Sequence, residues 1–261
     1  MTLHVVDVSR WQVERPDPLE LEDAKNVGFG GVNIALDRGR EEDVLPPWAA
    51  EYAARARALG IGVSCYRWLD GRIPGAESAR RAFERMHVLG GPDGMAHAVD
   101  CEADATERIL RDYVTTMTGL LGRPIAIYSG KWWLQPRGWQ IADLSPFLWA
   151  APGAGYLPEY PGDDSPLWLA GYGGFQNLAL MQYAVQPLPG TGKCSLSAVR
   201  DPLVWNTLTG GVMPVAEYPD TMWAGFPRAY GTGRDGKAVR LSVIHYTAGS
   251  ESRTSAENGA A

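Results

Sequence analysis

The sequence predicts an α/β fold: an irregular TIM-like (β/α) barrel with a β-rich second half, followed by a short C-terminal extension. Three observations predict it. Strand and helix patterns alternate from the N-terminus, which favours βαβ units and parallel pairing. The chain length of 261 residues suits one barrel of the usual size. Beyond Ser129 the helical periodicity weakens while proline, glycine and aromatic residues increase.

The first half of the chain supplies the alternating elements. Strand patterns occupy residues 3–8, 28–36 and 61–66, a central strand leads into residues 99–102, and another covers residues 125–128. Amphipathic helix patterns separate them over residues 47–59, 79–89 and 109–120. Asp104 lies three residues before Glu107, which predicts a capping arrangement at the start of the last of these helices.

The second half continues as strands joined by long connections. Residues 147–151 and 178–184 have strand patterns, and residues 196–199 supply a closing strand with Asp201 just after its end. Proline and glycine crowd the connections, so we expect the later helices to be short.

Charge and hydropathy argue against a nucleic-acid-binding protein and against a membrane protein. The net charge is −6, with 24 Lys and Arg against 30 Asp and Glu, and the basic residues are scattered, which disfavours a nucleic-acid partner. No apolar stretch reaches the roughly 18 residues that a membrane span needs, so we expect no membrane insertion. The N-terminus also lacks the charged and apolar regions of a signal peptide.

The cysteine pattern argues against a disulfide framework. The three cysteines, Cys65, Cys101 and Cys194, are an odd number and show no Cys-x-x-Cys spacing. We expect them to be reduced and buried, and we expect no metal site and no cofactor.

The central strand ends in the stretch Val99-Asp100-Cys101-Glu102-Ala103-Asp104, around which the chain is organised. Alternation along a strand places Asp100 and Glu102 on one face, with stems about 6.6 Å apart. Paired carboxyl groups at such a separation divide the work of glycoside hydrolysis, one as a protonated acid and one as a charged group. A solvated turn and a cation site are the alternatives for an isolated Asp-x-Glu pattern.

Further candidates lie at other strand ends. Asp7 follows the first strand, where barrel enzymes keep catalytic groups, although it could instead cap the following turn. Parallel strands bring Asp7, Tyr66 and Tyr128 to the same rim as the Asp-x-Glu stretch. Aromatic rings there suit sugar faces, and Trp149 is a candidate subsite wall, whereas most of the ten tryptophans are expected in the core.

An ordered set of motifs over residues 3–209 resembles glycoside hydrolase family 25, the N-acetylmuramidase lysozymes of bacteriophage endolysins and some bacteria. The motifs are Asp7-Val8-Ser9-Arg10-Trp11-Gln12, Val99-Asp100-Cys101-Glu102, Ile127-Tyr128-Ser129-Gly130-Lys131-Trp132-Trp133, Leu148-Trp149-Ala150-Ala151 and Met181-Gln182-Tyr183. The resemblance implies an irregular β/α barrel that cleaves the β-1,4 bond between N-acetylmuramic acid and N-acetylglucosamine in peptidoglycan.

The same resemblance assigns roles to individual residues. Glu102 matches the general acid, and Asp100 and Asp7 match acidic residues of the same cleft. Tyr66 and Tyr128 match aromatic positions around the sugar site, and Asp201 falls near an acidic residue that follows the family's last strand, which is a looser match. The predicted substrate-binding residues are Tyr66, Tyr128, Trp149, Gln182 and Asp201. The implied partners are glycan strands of peptidoglycan, acted on by a monomer.

The boundary of the barrel is predicted at Gly210-Gly211, which gives a muramidase domain over residues 1–209 and a linker with an incomplete segment over residues 210–261. In that segment residues 241–250 resemble the opening strand of zinc-dependent N-acetylmuramoyl-L-alanine amidases, in which the histidine matching His245 is a zinc ligand. Zinc catalysis needs about three protein ligands, so we expect no metal binding by His245 alone.

Three functions therefore compete. The leading one is a phage-type cell-wall lysin, made in the host cytoplasm and released to the wall with the help of a holin. The second is a wall-binding barrel without catalysis. The third makes the barrel an accessory domain of a longer zinc amidase.

Overall fold

The computed structural model describes residues 2–14, 19–38, 43–102, 104–151, 156–187 and 193–211. The amidase-like segment and His245 lie outside these ranges. Eight strands close into a barrel in chain order. They are β1 (Leu3–Val8), β2 (Gly31–Ala35), β3 (Gly62–Trp68), β4 (Met95–Asp100), β5 (Ala126–Gly130), β6 (Leu148–Ala151), β7 (Leu180–Pro187) and β8 (Lys193–Val199). The predicted α/β barrel is confirmed.

Helices surround the barrel, and the last two are only about half as long as the two before them, as the sequence predicts. They are α1 (Arg10–Val13), α2 (Leu21–Asn26), α3 (Ala49–Ala58), α4 (Gly75–Val88), α5 (Glu107–Leu121), α6 (Lys131–Arg137) and α7 (Pro202–Thr209), with a short 3₁₀ helix at Pro166–Leu169. The buried stripe of α5 consists of Leu110, Tyr113, Val114 and Met117.

The start of α5 differs from the sequence prediction. Its N-cap is Thr106, whose side chain accepts a hydrogen bond from the backbone N–H of Ile109. Asp104 is exposed, and the chain stays non-helical for two residues beyond it. The predicted cap at Asp104 was wrong because the loop after β4 is longer than the residue spacing suggested.

One strand, β8, runs antiparallel to the other seven. Neighbouring strands from β1 to β7 pair in parallel, whereas β8 pairs antiparallel with both β7 and β1, where Leu3 lies opposite Val199. Only residues 188–192 separate β7 from β8, which is far too short for the crossover that parallel strands need. The carboxyl end of β8 therefore lies at the opposite end of the barrel from the carboxyl ends of the other strands.

The barrel encloses its own small core, separate from the layer beneath the helices. Alanines on β4 and β5 leave space in it for the large rings of Trp149 and Trp205. Trp205, on α7, is 2% exposed and packs so close to Gly62 that a Cβ there would lie 3.1 Å from its ring. Helix α7 thus closes the amino end of the barrel and leaves the other end open.

Two other sequence expectations concern the cysteines and membrane-spanning segments. Cys65, Cys101 and Cys194 are all buried, and no disulfide joins them. None of the described helices combines the length and apolar character that crossing a bilayer requires.

Candidate active site

The open end of the barrel holds a pocket of about 230 Å³. Alternation along the strands directs one side chain from each odd-numbered strand into it: Asp7 (β1), Tyr66 (β3), Tyr128 (β5) and Gln182 (β7). Asp100, at the end of β4, and Glu102, just beyond it, face the same space. The structure therefore brings seven of the eight sequence-predicted site residues together, the seventh being Trp149.

A chain of hydrogen bonds holds Asp7. Asn33 donates from Nδ2 to Asp7 Oδ1 at 2.9 Å, and Gln182 donates from Nε2 to Asp7 Oδ2 at 3.1 Å. Gln182 in turn accepts on Oε1 from the hydroxyl of Tyr128 at 2.7 Å and from that of Tyr156 at 3.3 Å. Burial raises the pKa of Asp7 to about 6, and the two amide donors act against that rise because they favour the charged carboxylate.

Asp100 and Glu102 form the second acidic group of the pocket. Burial raises the pKa of Asp100 well above its usual range, and the negative charges of Glu102, Asp37 and Asp7 add to the effect. Asp100 Oδ1 is buried and accepts no hydrogen bond from any described residue. Burial likewise raises the pKa of Glu102. Two neighbouring carboxyl groups in such surroundings hold a proton between them at a pH where exposed carboxyl groups are charged.

The two tyrosines predicted at the site, on β3 and β5, both line the pocket. Burial raises the pKa of both hydroxyls, and the surrounding carboxyl groups raise it further. Both phenols therefore stay protonated and can donate hydrogen bonds to a ligand or, as Tyr128 does, to Gln182.

Trp149 lies at the floor of the pocket. It is 2% exposed, and its Nε1 donates to Ser197 Oγ at 3.0 Å. Its ring meets Tyr128 edge to face, with centroids 6.3 Å apart. So little exposed ring area leaves no face for sugar stacking, and Trp149 instead supports Tyr128 from below.

Asp201 does not belong to the site. It is the N-cap of α7, and its Oδ1 accepts from the backbone N–H of Leu203 at 2.9 Å. The placement of Asp201 at the substrate cleft was wrong because β8 runs antiparallel, so that the residues after it lie at the closed end of the barrel. Ser195, near the start of β8, reaches the pocket instead.

A buried cluster of ion pairs lies at the ends of β2 and β3, next to the pocket. Arg67 is 1% exposed and lies 3.3 Å from Asp37, with Asp43 as a second partner. Asp37 Oδ2 also accepts from the backbone N–H of Trp68 at 3.0 Å. These contacts fix the ends of β2 and β3 and bring the charge of Asp37 close enough to raise the pKa of Asp100.

Sequence reasoning missed six polar or aromatic pocket residues: Ser9, Trp11, Gln12, Asn33, Tyr156 and Ser195. Asn33 carried a usable signal, because a polar residue between Val32 and Ile34 in a strand pattern marks the inward face. Tyr156 follows a long connection for which no periodicity exists. Among the described residues no cluster of His, Cys, Asp and Glu has an arrangement suited to a metal ion.

Comparison with known proteins gives a likeness at the level of structure. No protein-family model and no curated protein sequence matches the chain. A muramidase from Acremonium alcalophilum matches with a TM-score of 0.59 at 19% identity, over 80% of this chain and 99% of that one. A bacterial lysozyme from Streptomyces coelicolor matches with a TM-score of 0.60 at 15% identity, over 80% and 98% of the two chains.

A third solved structure extends the comparison. A lysozyme of glycoside hydrolase family 25 from Aspergillus fumigatus matches with a TM-score of 0.56 at 15% identity, over 80% of this chain and 100% of that one. The chain has the fold of these lysozymes. At such low identity the likeness establishes the fold.

Proposed function

We propose that this chain is a muramidase, a glycoside hydrolase that cleaves the β-1,4 bond between N-acetylmuramic acid and N-acetylglucosamine in peptidoglycan. One observation carries the proposal: Asp7, Asp100 and Glu102 converge in one open pocket, and burial raises the pKa of all three. Their occurrence on the fold of known muramidases supports the choice of substrate.

Glu102 is the proton donor in this proposal. It lies beyond the end of β4, where a bound sugar can reach it, while Asp100 lies within the strand. The proton that the two carboxyl groups hold passes from Glu102 to the glycosidic oxygen as the bond from that oxygen to the anomeric carbon breaks. Water then supplies the hydroxyl group of the new reducing end, and the proton that water loses replaces the one that Glu102 donated. Such acid catalysis contributes about 10²- to 10⁴-fold in rate.

Asp7 stabilises the positive charge that develops on the sugar ring. Its pKa of about 6 leaves it mostly charged at neutral pH, and Asn33 and Gln182 fix the direction of its two oxygens. A pre-oriented carboxylate in a site of low dielectric stabilises such charge more strongly than water does. Tyr66 and Tyr128 provide ring faces and hydroxyl groups for the sugars.

The biological setting is part of the proposal. The resemblance of the ordered motifs to phage muramidases supports a role in lysis of the bacterial host. The chain would be made in the host cytoplasm and, with a holin opening the membrane, would act on the wall as a monomer. Glycan strands of peptidoglycan would be its partner.

Mass spectrometry of digested peptidoglycan tests the proposed bond. Borohydride reduction marks new reducing ends, and we expect N-acetylmuramic acid at those ends. Reducing N-acetylglucosamine would indicate cleavage of the other glycosidic bond. Free amino groups of the stem peptide without new reducing ends would indicate an amidase, and binding without any new end would indicate a wall-binding barrel.

A further inference from the structure

Exposed aromatic side chains concentrate at one end of the barrel. Three large aromatic residues are more than half exposed among the described residues: Trp11 at 69%, Trp132 at 54% and Tyr156 at 53%. Each follows the carboxyl end of a strand, β1, β5 and β6 respectively. The other strongly exposed apolar side chains are aliphatic. Trp11 and Tyr156 line the pocket, whereas Trp132 lies outside its lining.

Gly130 determines where Trp132 lies. It follows Tyr128 by two residues in β5, so any side chain at position 130 would face the barrel mouth. A Cβ built on Gly130 would lie only 2.1 Å from Trp132 Nε1. The indole of Trp132 therefore occupies the space over the inner side of the strand end, at the barrel mouth.

Both tryptophans are held in place although they are exposed. The ring of Trp133 meets Trp132 edge to face, with centroids 6.0 Å apart, and the Arg137 guanidinium lies 3.2 Å from the Trp133 ring. The Arg10 guanidinium lies 4.6 Å from the Trp11 ring. A ligand that stacks on these rings would lose little side-chain entropy, because the contacts already restrict the rings.

Trp11 and Trp132 lie on opposite sides of the mouth. Strands β1 and β5 are four positions apart in either direction around the closed barrel. Eight strands spaced about 4.8 Å apart and tilted about 36° enclose a circle roughly 15 Å across. The pocket with its carboxyl groups occupies the space between the two rings.

We propose that Trp11 and Trp132 are outer sugar-binding platforms, so that a glycan strand crosses the mouth from α1 to α6 over the acidic pocket. This inference rests on the proposed function and adds the path of the substrate. A polysaccharide fits the surface because its rings offer flat C–H faces at intervals and hydroxyl groups between them. An apolar protein partner would need one contiguous apolar patch, whereas acidic groups separate these two rings.

Steady-state kinetics on solubilised glycan strands tests the platform at Trp132. Loss of one stacking ring should raise KM about three- to tenfold for Trp132→Ala and leave kcat within about twofold. Trp132→Phe keeps a flat face and should restore most of the difference. Gly130→Ala should also raise KM, since its Cβ displaces the indole. Leu203→Ala, which removes a side chain 64% exposed on α7 at the closed end, is the matched control and should change neither constant.

Binding of the same strands provides a second measurement that does not need turnover. In a Glu102→Gln background, tryptophan fluorescence should respond to added strands, and Trp132→Ala should weaken the apparent affinity by the same factor as KM. If Trp132→Ala changes neither KM nor the affinity for glycan strands, Trp132 is not a sugar-binding platform. A decrease confined to kcat would contradict the proposal as well. If the parent chain yields no reducing ends, the proposed function fails, while the binding measurement still decides whether Trp132 contacts glycan.

Discussion

Gln182 donates a hydrogen bond from Nε2 to Asp7 at 3.1 Å while its Oε1 accepts one from Tyr128 at 2.7 Å. This amide joins β1, β5 and β7 across the barrel mouth. It is 5% exposed, and its side chain connects the Asp7 carboxylate to the Tyr128 hydroxyl group. We therefore expect Gln182, which the sequence assigns to substrate binding, also to position Asp7.

Replacing Gln182 by Met should raise the pKa of Asp7 above its value of about 6. Methionine keeps most of the volume but cannot donate to the carboxylate, so the charged form loses stabilisation. Carbon-detected NMR titration of the Asp7 carboxyl group measures the shift. Gln135→Met, at an exposed position on α6, is the control and should leave the Asp7 titration unchanged. An equal Asp7 pKa in both variants would show that Gln182 does not stabilise the charge.

Asp100→Asn should stabilise the fold at neutral and alkaline pH. Burial and nearby negative charges raise the pKa of Asp100 in the folded state. The contribution of Asp100 to the free energy of unfolding is therefore fully favourable below the ordinary pKa of aspartate, and it is lost as pH rises through the raised pKa. Asparagine stays neutral and undergoes no such loss. The melting temperature of the variant should therefore match that of the parent near pH 4 and exceed it at pH 8. The difference at pH 8 should be roughly 2–4 °C for each kcal/mol by which the variant raises the free energy of unfolding.

The matched control for this pH dependence is Asp164→Asn at an exposed position. We expect the melting temperature of Asp164→Asn to differ from that of the parent by the same amount at pH 4 and at pH 8. A gap between Asp100→Asn and parent that widens toward acid pH would contradict the direction of the pKa shift.

A chain ending at Gly211 should fold by itself. All eight strands and α7 lie within it, and the pairing of β8 with β1 already closes the barrel. We expect its melting temperature to lie within a few degrees of that of the full chain. A chain ending at Val199 lacks α7 and its buried Trp205, which leaves the inner core open at the amino end of the barrel, so it should melt at least about 10 °C lower. Equal melting of the two truncated chains would show that α7 is dispensable.

Metal chelation should leave the activity unchanged. Proton transfer between carboxyl groups and sugar requires no cation, and His97 is engaged with Tyr113 at 2.8 Å and with Cys65. Assays of wall lysis before and after EDTA measure the effect. Lysis that EDTA abolishes and zinc restores would favour the amidase segment around His245 as the working site.

Much of the site could be predicted from the sequence because parallel strands carry their carboxyl ends to one rim. Alternation then assigns the face, which is why Asp7, Tyr66, Tyr128 and Asp100 converge as expected. The acidic pair at the end of β4 needed only a local pattern, since alternation along a strand puts Asp100 and Glu102 on one face.

The residue positions that the sequence did not predict correctly depend on contacts in the folded barrel, which local sequence patterns do not reveal. The position of Asp201 follows from the antiparallel direction of β8, which is decided by the length of the β7–β8 connection and by closure against β1. The position of Trp132 follows from the missing side chain of Gly130, a contact that only the folded strand end creates. Helix capping by Thr106 instead of Asp104 likewise depends on the length of the loop after β4.

The rate of reducing-end release from peptidoglycan by Glu102→Gln, with Asp104→Asn beside it, tests the central claim most directly. Glutamine keeps the shape of the side chain and removes the proton, so the rate should fall by about 10²- to 10⁴-fold while wall binding persists. Asp104 is exposed and lies outside the pocket lining, so Asp104→Asn should stay within about tenfold of the parent. Near-parental activity in Glu102→Gln, or loss of activity in Asp104→Asn alone, would contradict the assignment of Glu102 as the acid.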